Sequence, residues 1–278
     1  MKVAVTGSSG LIGTALVTSL RSDGHQVIRL VRRPSRSGDE VRWDPHAADA
    51  GLAATQGALE GIGACVHLAG AGVASRRWTS RYKAEIRASR VLGTRALAGA
   101  LARLGSPPAT LVSASAIGWY GDTGGRDVDE SAAAGKSFLA RLLPLARLGL
   151  CPRFASGAQV MTWISLSDEI GAMKFLLDRK DISGPVNLTA PDPVTNSAFT
   201  SALAAAVGRR DLPWLRVPAP VIRLGLGEAA VELLTSARVI PKRLLEAGYK
   251  FRYPALAEAL AAELTGAPAR GSAQSLPG

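Results

Sequence analysis

Val3-Ala-Val-Thr-Gly7-Ser-Ser-Gly10-Leu-Ile-Gly13, near the start of the chain, is the stretch that decides the fold. A short apolar run rich in β-branched residues ends at three evenly spaced glycines, and apolar residues then recur at helical spacing. A strand, a tight loop and a helix N-terminus in this order indicate a dinucleotide-binding loop. The alternative is an ordinary glycine-rich turn.

Each glycine of this loop has a separate physical role. Gly7 lets the chain turn sharply, Gly10 lets the backbone approach a pyrophosphate, and Gly13 lets the helix lie close to the sheet. The free N–H groups and positive dipole end of the helix would then face the phosphates. The loop residues predicted to bind the cofactor are Gly7, Ser8, Ser9, Gly10, Leu11, Ile12 and Gly13.

The end of the second predicted strand indicates which cofactor is bound. The strand Gln26 to Val31 is followed by Arg32 and Arg33, about 20 residues past the glycines, where an acid would bind the ribose 2′-hydroxyl of NAD. A guanidinium instead pairs with a 2′-phosphate, so we expect NADP rather than NAD. Arg32 is the preferred contact and Arg33 the alternative, and two solvated loop arginines remain a rival interpretation.

Strand and helix patterns alternate through residue 121, which predicts an α/β, Rossmann-like, doubly wound parallel sheet. Further strands are predicted near Val41, at Ala64 to Ala69 and at Ala109 to Ser115, with a long helix over Trp78 to Leu104. The small residues that follow the fourth strand would let its backbone pass under the dinucleotide.

Composition excludes several classes of protein. The two cysteines and three histidines are scattered and predict neither disulfides nor a metal site, and no run approaches the roughly 20 apolar residues of a spanning helix. We therefore expect a cytoplasmic, metal-free protein without a membrane partner. The formal charge of +11 comes from scattered arginines, for which a solvated basic face or attraction of a nucleotide ligand is a simpler explanation than nucleic-acid binding.

Further motifs resemble the extended short-chain dehydrogenase/reductase superfamily, the NAD(P)-dependent epimerase/dehydratases, in the branch with a C-terminal domain of unknown function. Beyond the glycine loop, these motifs are His67-Leu-Ala-Gly70, Ser113-Ala-Ser-Ala-Ile-Gly-Trp-Tyr-Gly121, Trp163-Ile-Ser-Leu-Ser-Asp-Glu169, Gly184-Pro-Val-Asn-Leu-Thr-Ala-Pro191 and the segment from Gly227 to Pro254. The resemblance covers most of the chain. It adds Leu68, Ala69, Gly70 and Glu85 to the predicted cofactor contacts.

The resemblance also implies a catalytic site. Ser115 occupies the Ser/Thr position that hydrogen-bonds a reacting carbonyl or hydroxyl group. The superfamily's acid/base pair, Tyr-x-x-x-Lys, is absent, because no tyrosine of this chain has lysine four residues on. Tyr120 is the tyrosine nearest Ser115 in sequence and is named as a candidate acid/base, with packing beside Trp119 as the alternative.

The chain departs from the family after residue 140. Relatives would be expected to carry a further helix and a sixth strand, a unit of about 30 residues or more, at the position between Ala140 and Arg141. This chain has no residues there to form that unit. We expect a Rossmann domain over 1–140, a smaller, mostly helical lobe over 141–264 and a disordered tail over 265–278. In the lobe, Ser167-Asp-Glu169 predicts a helix start, 185–189 a strand, 213–218 a strand, and Thr195 or Asn196 a helix cap.

The predicted function is that of an NADP-binding, epimerase-like oxidoreductase. Its substrate would be a nucleotide-sugar or another small polar molecule with a hydroxyl or carbonyl group, and a homodimer is left open as its assembly. The alternative is a cofactor-binding regulatory or scaffold protein without turnover, which the missing Tyr/Lys pair favours.

Overall fold

A five-stranded parallel sheet organises the N-terminal half of the computed structural model, which describes residues 1–45, 57–73, 76, 78–132 and 153–265. The strands lie in the order β3-β2-β1-β4-β5. Their bounds are β1 Lys2–Thr6, β2 Gln26–Val31, β3 Glu40–Arg42, β4 Ala64–His67 and β5 Thr110–Ser113. The order reverses between β1 and β4, and this switch opens a ligand crevice at the carboxyl ends of the strands. The predicted fold class is confirmed.

Helices cover both faces of this sheet because its central strands are apolar on both sides. On one face, Val3 and Val5 pack with α1 (Leu11–Ser22) and α3 (Leu166–Leu177). On the other face, Ala4 and Cys65 pack against α2 (Ser80–Ala102). Alternate residues of β1 therefore belong to two separate cores.

The C-terminal half consists of very short strands and short helices. It contains β6 Arg153–Phe154, β7 Val160–Met161, β8 Val194–Thr195, α4 Asn196–Ala206, β9 Arg216–Val217, α5 Ala219–Leu226, α6 Val231–Leu234, α7 Lys242–Glu246 and α8 Leu256–Thr265. Single 3₁₀ turns lie at Ile117–Trp119 and Gly227–Ala230. β6 pairs with β9 in parallel and β7 with β8 antiparallel, so this half is attached to the sheet mainly through helices and loops.

Helix α3 joins the two halves. Ile170 and Met173 on one side pack into the core shared with β1 and α1. Ala172 and Leu176 on another side pack against Leu244 of α7. The predicted boundary at residue 140 would assign α3 to the C-terminal lobe, yet Ile170, Met173 and Leu177 of this helix pack in the core of the sheet.

Two local predictions in the lobe are wrong. The α3 cap is Ser165, not Ser167: its hydroxyl accepts a 2.9 Å hydrogen bond from the Asp168 backbone N–H. Residues 185–189 form no strand, because loops and side chains take up their backbone hydrogen bonds; the Asn187 N–H, for example, donates to Glu130 Oε1 at 2.9 Å.

Other predictions for the lobe agree with the structure or lie outside its described residues. Thr195 caps α4 through a hydrogen bond from the Ala198 N–H, and β9 lies within the strand predicted over 213–218. The predicted loss of a helix and strand after residue 140 falls in the interval 133–152, outside the described residues. The predicted tail falls almost entirely in 266–278, also outside them.

Candidate cofactor and substrate site

The glycine loop is held in place by close backbone packing. Gly7 has φ +67°, and a Cβ there would lie 2.7 Å from the carbonyl carbon of Leu68. A Cβ on Gly13 would lie 2.2 Å from the Gly7 oxygen. At Gly10 the nearest atom to a Cβ is that same oxygen at 3.4 Å. Packing therefore requires glycine at the first and third positions, whereas a Cβ at Gly10 would make an ordinary van der Waals contact.

The residues between the glycines differ in exposure. The Ser8 hydroxyl is buried and has no hydrogen-bond partner within the described ranges, while Ser9 is exposed. Leu11 is 77% exposed, and Ile12 packs against the sheet core. No side chain caps the N-terminus of α1 at Gly10. The turn thus presents a helix N-terminus without a side-chain cap beside a buried, unpartnered hydroxyl.

Thr6 and His67 fix the exit from β4. The Thr6 hydroxyl accepts hydrogen bonds from the Leu68 and Ala69 N–H groups, both at 3.1 Å. We infer that it donates to His67 Nδ1, 2.7 Å away, so the ring proton lies on Nε2. Burial lowers the pKa of His67 and favours the neutral ring. His67 is a packed strand residue that positions the predicted cofactor contacts Leu68, Ala69 and Gly70.

The structure separates the two arginines that follow β2. The Arg33 guanidinium donates two hydrogen bonds, at 2.7 and 2.6 Å, to the buried Glu40 carboxylate. Glu40 also accepts from the Arg36 N–H at 2.8 Å, and the bonds from Arg33 lower the pKa of its carboxyl. Arg32 is exposed, and within the described residues it has no hydrogen bond or ion pair. Arg33 thus orders the loop, and Arg32 is available to a ligand.

Side chains of α2 hold the loop that follows Gly70. The Ala71 N–H donates to Ser89 Oγ at 2.9 Å, and Arg90 Nη1 donates to the Ala71 oxygen at 3.1 Å. A Cβ on Gly70 would lie 3.4 Å from Arg90 Cζ. The predicted contact Glu85 is exposed on the same helix, 4.0 Å from Arg76.

A cavity of about 360 Å³ lies beside this loop, between the sheet edge and the C-terminal half. Its walls come from α2, from the turn after β5, from β6 and β7, and from the segment that follows α6. The lining residues used below are Lys83, Ile86, Arg87, Arg90, Ile117, Phe154, Val160, Met161, Thr162, Leu233 and Thr235. The cavity is large enough for a small-molecule ligand.

The two predicted catalytic residues have different surroundings. Ser115 is exposed and directly precedes Ala116, Ile117 and Gly118 of the cavity wall. The Tyr120 hydroxyl donates to Asn187 Oδ1 at 2.8 Å, and Tyr120 is not among the cavity-lining residues. Burial raises the pKa of this hydroxyl, which opposes a phenolate. Ser115 is likewise not among the described lining residues but is one residue before them in the chain, and Tyr120 links the turn to the C-terminal half.

Sequence reasoning missed the cationic wall of the cavity. Lys83, Arg87 and Arg90 are among the basic residues for which the sequence predicted either a solvated face or attraction of a nucleotide ligand. Their spacing of four and three residues places them on one side of α2, and this spacing was a usable signal. The second wall comes from residues more than 60 positions later in the chain, for which the sequence carries no signal.

The described ranges contain neither a candidate metal-binding cluster nor a candidate membrane-spanning helix. Among those residues, no three His, Cys, Asp or Glu side chains are close enough together to hold a metal ion. None of the helices in those ranges combines the length and apolar character that crossing a membrane requires. Both results concern only the part of the chain that the structure describes.

Strand order, glycine packing and the crevice at the β1–β4 switch define a Rossmann-type dinucleotide-binding protein. The chain belongs to the NAD dependent epimerase/dehydratase family, which its residues 3–141 match. Residues 217–263 match a domain of unknown function, DUF1731. The family predicted from the sequence motifs is confirmed.

Relatives align over nearly the whole chain. The epimerase family protein Mb2239 of Mycobacterium bovis is 39% identical over 93% of this chain and 96% of its own length. Human epimerase family protein SDR39U1, solved with NADPH, superposes with a TM-score of 0.82 at 28% identity, covering 94% of this chain and 98% of the human one. A nucleoside-diphosphate sugar epimerase of Corynebacterium glutamicum gives 0.75 at 29% identity, over 99% of this chain and 60% of its own.

Proposed function

We propose that this chain binds NADP(H) at the carboxyl edge of the sheet and uses it on a small substrate held in the adjoining cavity, with NADPH reducing a carbonyl group or NADP⁺ oxidising a hydroxyl group. The observation that carries the proposal is the contrast between Arg32 and Arg33. Glu40 engages one guanidinium and leaves the other exposed at the strand end where a 2′-phosphate would lie. The NADPH in the human relative supports the same cofactor.

The residues of the loop fit a dinucleotide. The buried Ser8 hydroxyl has no partner among the described residues, and a phosphate oxygen would provide one. Gly10 adds no side chain in front of the uncapped N-terminus of α1, which favours an anion. Leu68, Ala69 and Gly70 would pass beneath the dinucleotide. Glu85, on the solvent side of α2, is the candidate contact with the least support.

When bound, NADPH supplies a hydride through its nicotinamide ring. The protein's part is to hold and orient the reacting carbonyl or hydroxyl group. The Ser115 hydroxyl, which is exposed and one residue before the cavity wall in the chain, would donate a hydrogen bond to that oxygen and stabilise developing negative charge. Tyr120 would need to exchange its hydrogen bond with Asn187 before it could transfer a proton.

The second candidate function is a cofactor-binding regulatory protein without turnover. The bond from Tyr120 to Asn187 and the raised pKa of its hydroxyl favour this candidate. Consumption of NADPH with a panel of carbonyl compounds would favour an enzyme, whereas tight binding without consumption would favour regulation. A turnover that survives in both Ser115→Ala and Tyr120→Phe would remove both residues from the mechanism.

The proposal is tested by titrating the protein with NADPH and with NADH, followed by nucleotide fluorescence. In Arg32→Gln we expect NADPH affinity to fall about 10- to 100-fold, the range for a lost charge-assisted hydrogen bond. NADH affinity should stay unchanged, because NADH has no 2′-phosphate.

Arg36→Gln is the matched control. Arg36 is an exposed arginine of the same loop, so the variant removes the same charge. If Arg36→Gln abolishes the preference for NADPH and Arg32→Gln does not, the assignment of Arg32 is wrong. If the folded wild-type protein binds neither nucleotide, the proposed function itself is wrong.

A further inference from the structure

The cavity has one strongly cationic wall. Lys83, Arg87 and Arg90 line it from successive turns of α2. Arg90 is anchored through Nη1 to the backbone oxygens of Ala71 and Ile86 at 3.1 and 3.2 Å. Arg87 is exposed and, in the described part of the chain, has neither a hydrogen bond nor an ion pair. Three neighbouring cations attract an anion to this wall.

No carboxylate occurs among the described lining residues to neutralise Arg87. The only acid of α2 is Glu85, which lies outside the lining and 4.0 Å from Arg76. The positive charge at Arg87 is therefore directed to solvent or to a ligand. An ionised phosphate or carboxylate matches the guanidinium geometry.

The opposite walls are apolar. They comprise Ile117, Phe154, Val160, Met161 and Leu233, with Ile86 from α2. Hydroxyl groups are few here, and the Thr162 hydroxyl already donates to the Ala237 oxygen at 2.5 Å and accepts from the Val239 N–H at 3.0 Å. A sugar ring against these walls would leave its own hydroxyls without partners, which opposes binding.

We propose that the substrate of this site is an amphiphilic anion, with a phosphate or carboxylate against Arg87 and Arg90 and an apolar body against the opposite walls. The identification of this ligand as the substrate rests on the proposed NADPH-dependent function. It differs from the nucleotide-sugar expectation, because the walls offer apolar contact where a sugar needs hydrogen bonds. Arg90, next to Gly70, brings the anion subsite close to the predicted cofactor loop.

The test is calorimetric titration of the full chain, with and without NADPH. The probes are octyl phosphate, octanoate, butyl phosphate, neutral octyl glucoside and UDP-glucose. Octyl phosphate or octanoate should bind more tightly than octyl glucoside, and the two anions distinguish a phosphate from a carboxylate head group. Affinity should rise from butyl to octyl phosphate by up to about fourfold per added CH₂.

Arg87→Gln tests the cationic wall, and Arg95→Gln is its matched control. Arg95 is an exposed arginine of the same helix that does not line the cavity. Arg87→Gln should weaken octyl phosphate binding about fivefold, the upper end for a solvent-accessible ion pair. Arg95→Gln should leave it unchanged, and NADPH titration of both variants should match wild type.

Several results would overturn the inference. Equal losses in Arg87→Gln and Arg95→Gln would mean that the charge acts non-specifically. Equal affinity for butyl and octyl phosphate, or tighter binding of octyl glucoside or UDP-glucose, would contradict the apolar walls. A protein that binds NADPH but neither octyl anion would contradict this inference alone. Octyl phosphate binding that depends on Arg87 in a protein without NADPH affinity would contradict only the proposed function.

Discussion

The two halves of this molecule are stabilised in different ways. In the sheet half, buried residues are largely aliphatic and pack on the two faces of five parallel strands. In the C-terminal half, strands are two residues long, and buried polar side chains bind distant backbone groups. Gln159 Nε2, for example, donates to the oxygens of Phe154 at 3.1 Å and Leu233 at 2.9 Å.

This difference shows which parts of a fold are recorded in a local pattern. Apolar residues alternate over a few positions, so a strand of the sheet half is visible within its own segment. A hydrogen bond between residues 74 positions apart, such as that from Gln159 to Leu233, leaves no local pattern. The cavity lies between the two halves. Its cationic wall is visible in the residue spacing of a single helix, α2, whereas the apolar wall combines residues from several distant segments.

The largest effect on the free energy of unfolding is expected for a substitution in the sheet half, at Gly13. Gly13→Ala would place a methyl group 2.2 Å from the Gly7 oxygen, so α1 would have to move away from the loop. We expect a loss of about 4 kcal/mol or more in the free energy of unfolding, measured by urea denaturation.

Gly10→Ala separates packing from ligand binding in the same loop. Its methyl group would lie 3.4 Å from the Gly7 oxygen, so the protein should remain folded while a pyrophosphate is kept at a distance. Normal stability with weakened NADPH binding is the expected result. Similar stabilities of the Gly10 and Gly13 variants would contradict the packing argument.

The second-largest loss of stability is expected at Asp168, whose carboxylate connects α3 to the backbone of residues 252 and 253 by hydrogen bonds. Its carboxylate accepts hydrogen bonds from the N–H groups of Arg252 at 2.6 Å and Tyr253 at 3.0 Å, and it is 1% exposed. Asp168→Ala should cost about 3 kcal/mol in the free energy of unfolding, because it leaves buried donors without partners.

Asp178→Ala is the control for the same helix, since Asp178 is exposed at its C-terminal end. We expect this variant to stay within about 0.5 kcal/mol of wild type. A comparable loss in both variants would mean that charge on α3, rather than the links to residues 252 and 253, determines stability.

The smallest effect is a pH dependence at the helix shared by both halves. Burial raises the pKa of Glu169 from the ordinary 4.5 to about 7. The folded state therefore binds more protons than the unfolded state between these values, and stability falls as pH rises through this window. Glu169→Gln should remove that fall and be more stable than wild type at about pH 8, on the order of 1–2 kcal/mol.

Thermal unfolding of wild type and Glu169→Gln across pH 4 to 8 measures this difference, with the exposed Glu258→Gln as control. Parallel pH profiles for wild type and Glu169→Gln would show that Glu169 ionises normally in the folded protein. A profile altered equally by Glu258→Gln would assign the effect to net charge.

Much of the sheet half could be predicted. The strand Gln26–Val31 was predicted with the bounds that the structure has, and the glycine spacing indicated the loop because Gly7 and Gly13 leave no space for a side chain. The choice between Arg32 and Arg33 could not be made, because it depends on Glu40, whose carboxylate is brought to Arg33 by the pairing of β2 with β3.

In the C-terminal half, element type was easier to predict than detail. A helix near Ser167 was expected correctly, but its cap is Ser165. Both serines satisfy the local cap preference, so tertiary contacts decide between them: the Leu166 N–H at the first turn donates to Glu263 Oε1 of α8 at 2.9 Å. The predicted strand over 185–189 was wrong because apolar composition cannot supply a partner strand.

The sequence alone determined the family, the parallel sheet and the dinucleotide loop, because these depend on short-range spacing of glycines and apolar residues. Only the tertiary structure decided that the Arg33 guanidinium is hydrogen-bonded to Glu40 and that the Tyr120 hydroxyl is hydrogen-bonded to Asn187. It also decided that Arg87 lies across the cavity from an apolar wall. Each of these outcomes depends on contacts between residues that are separated in the sequence. Folding brings these residues together, and their contacts determine the hydrogen bonds and the protonation state of each side chain.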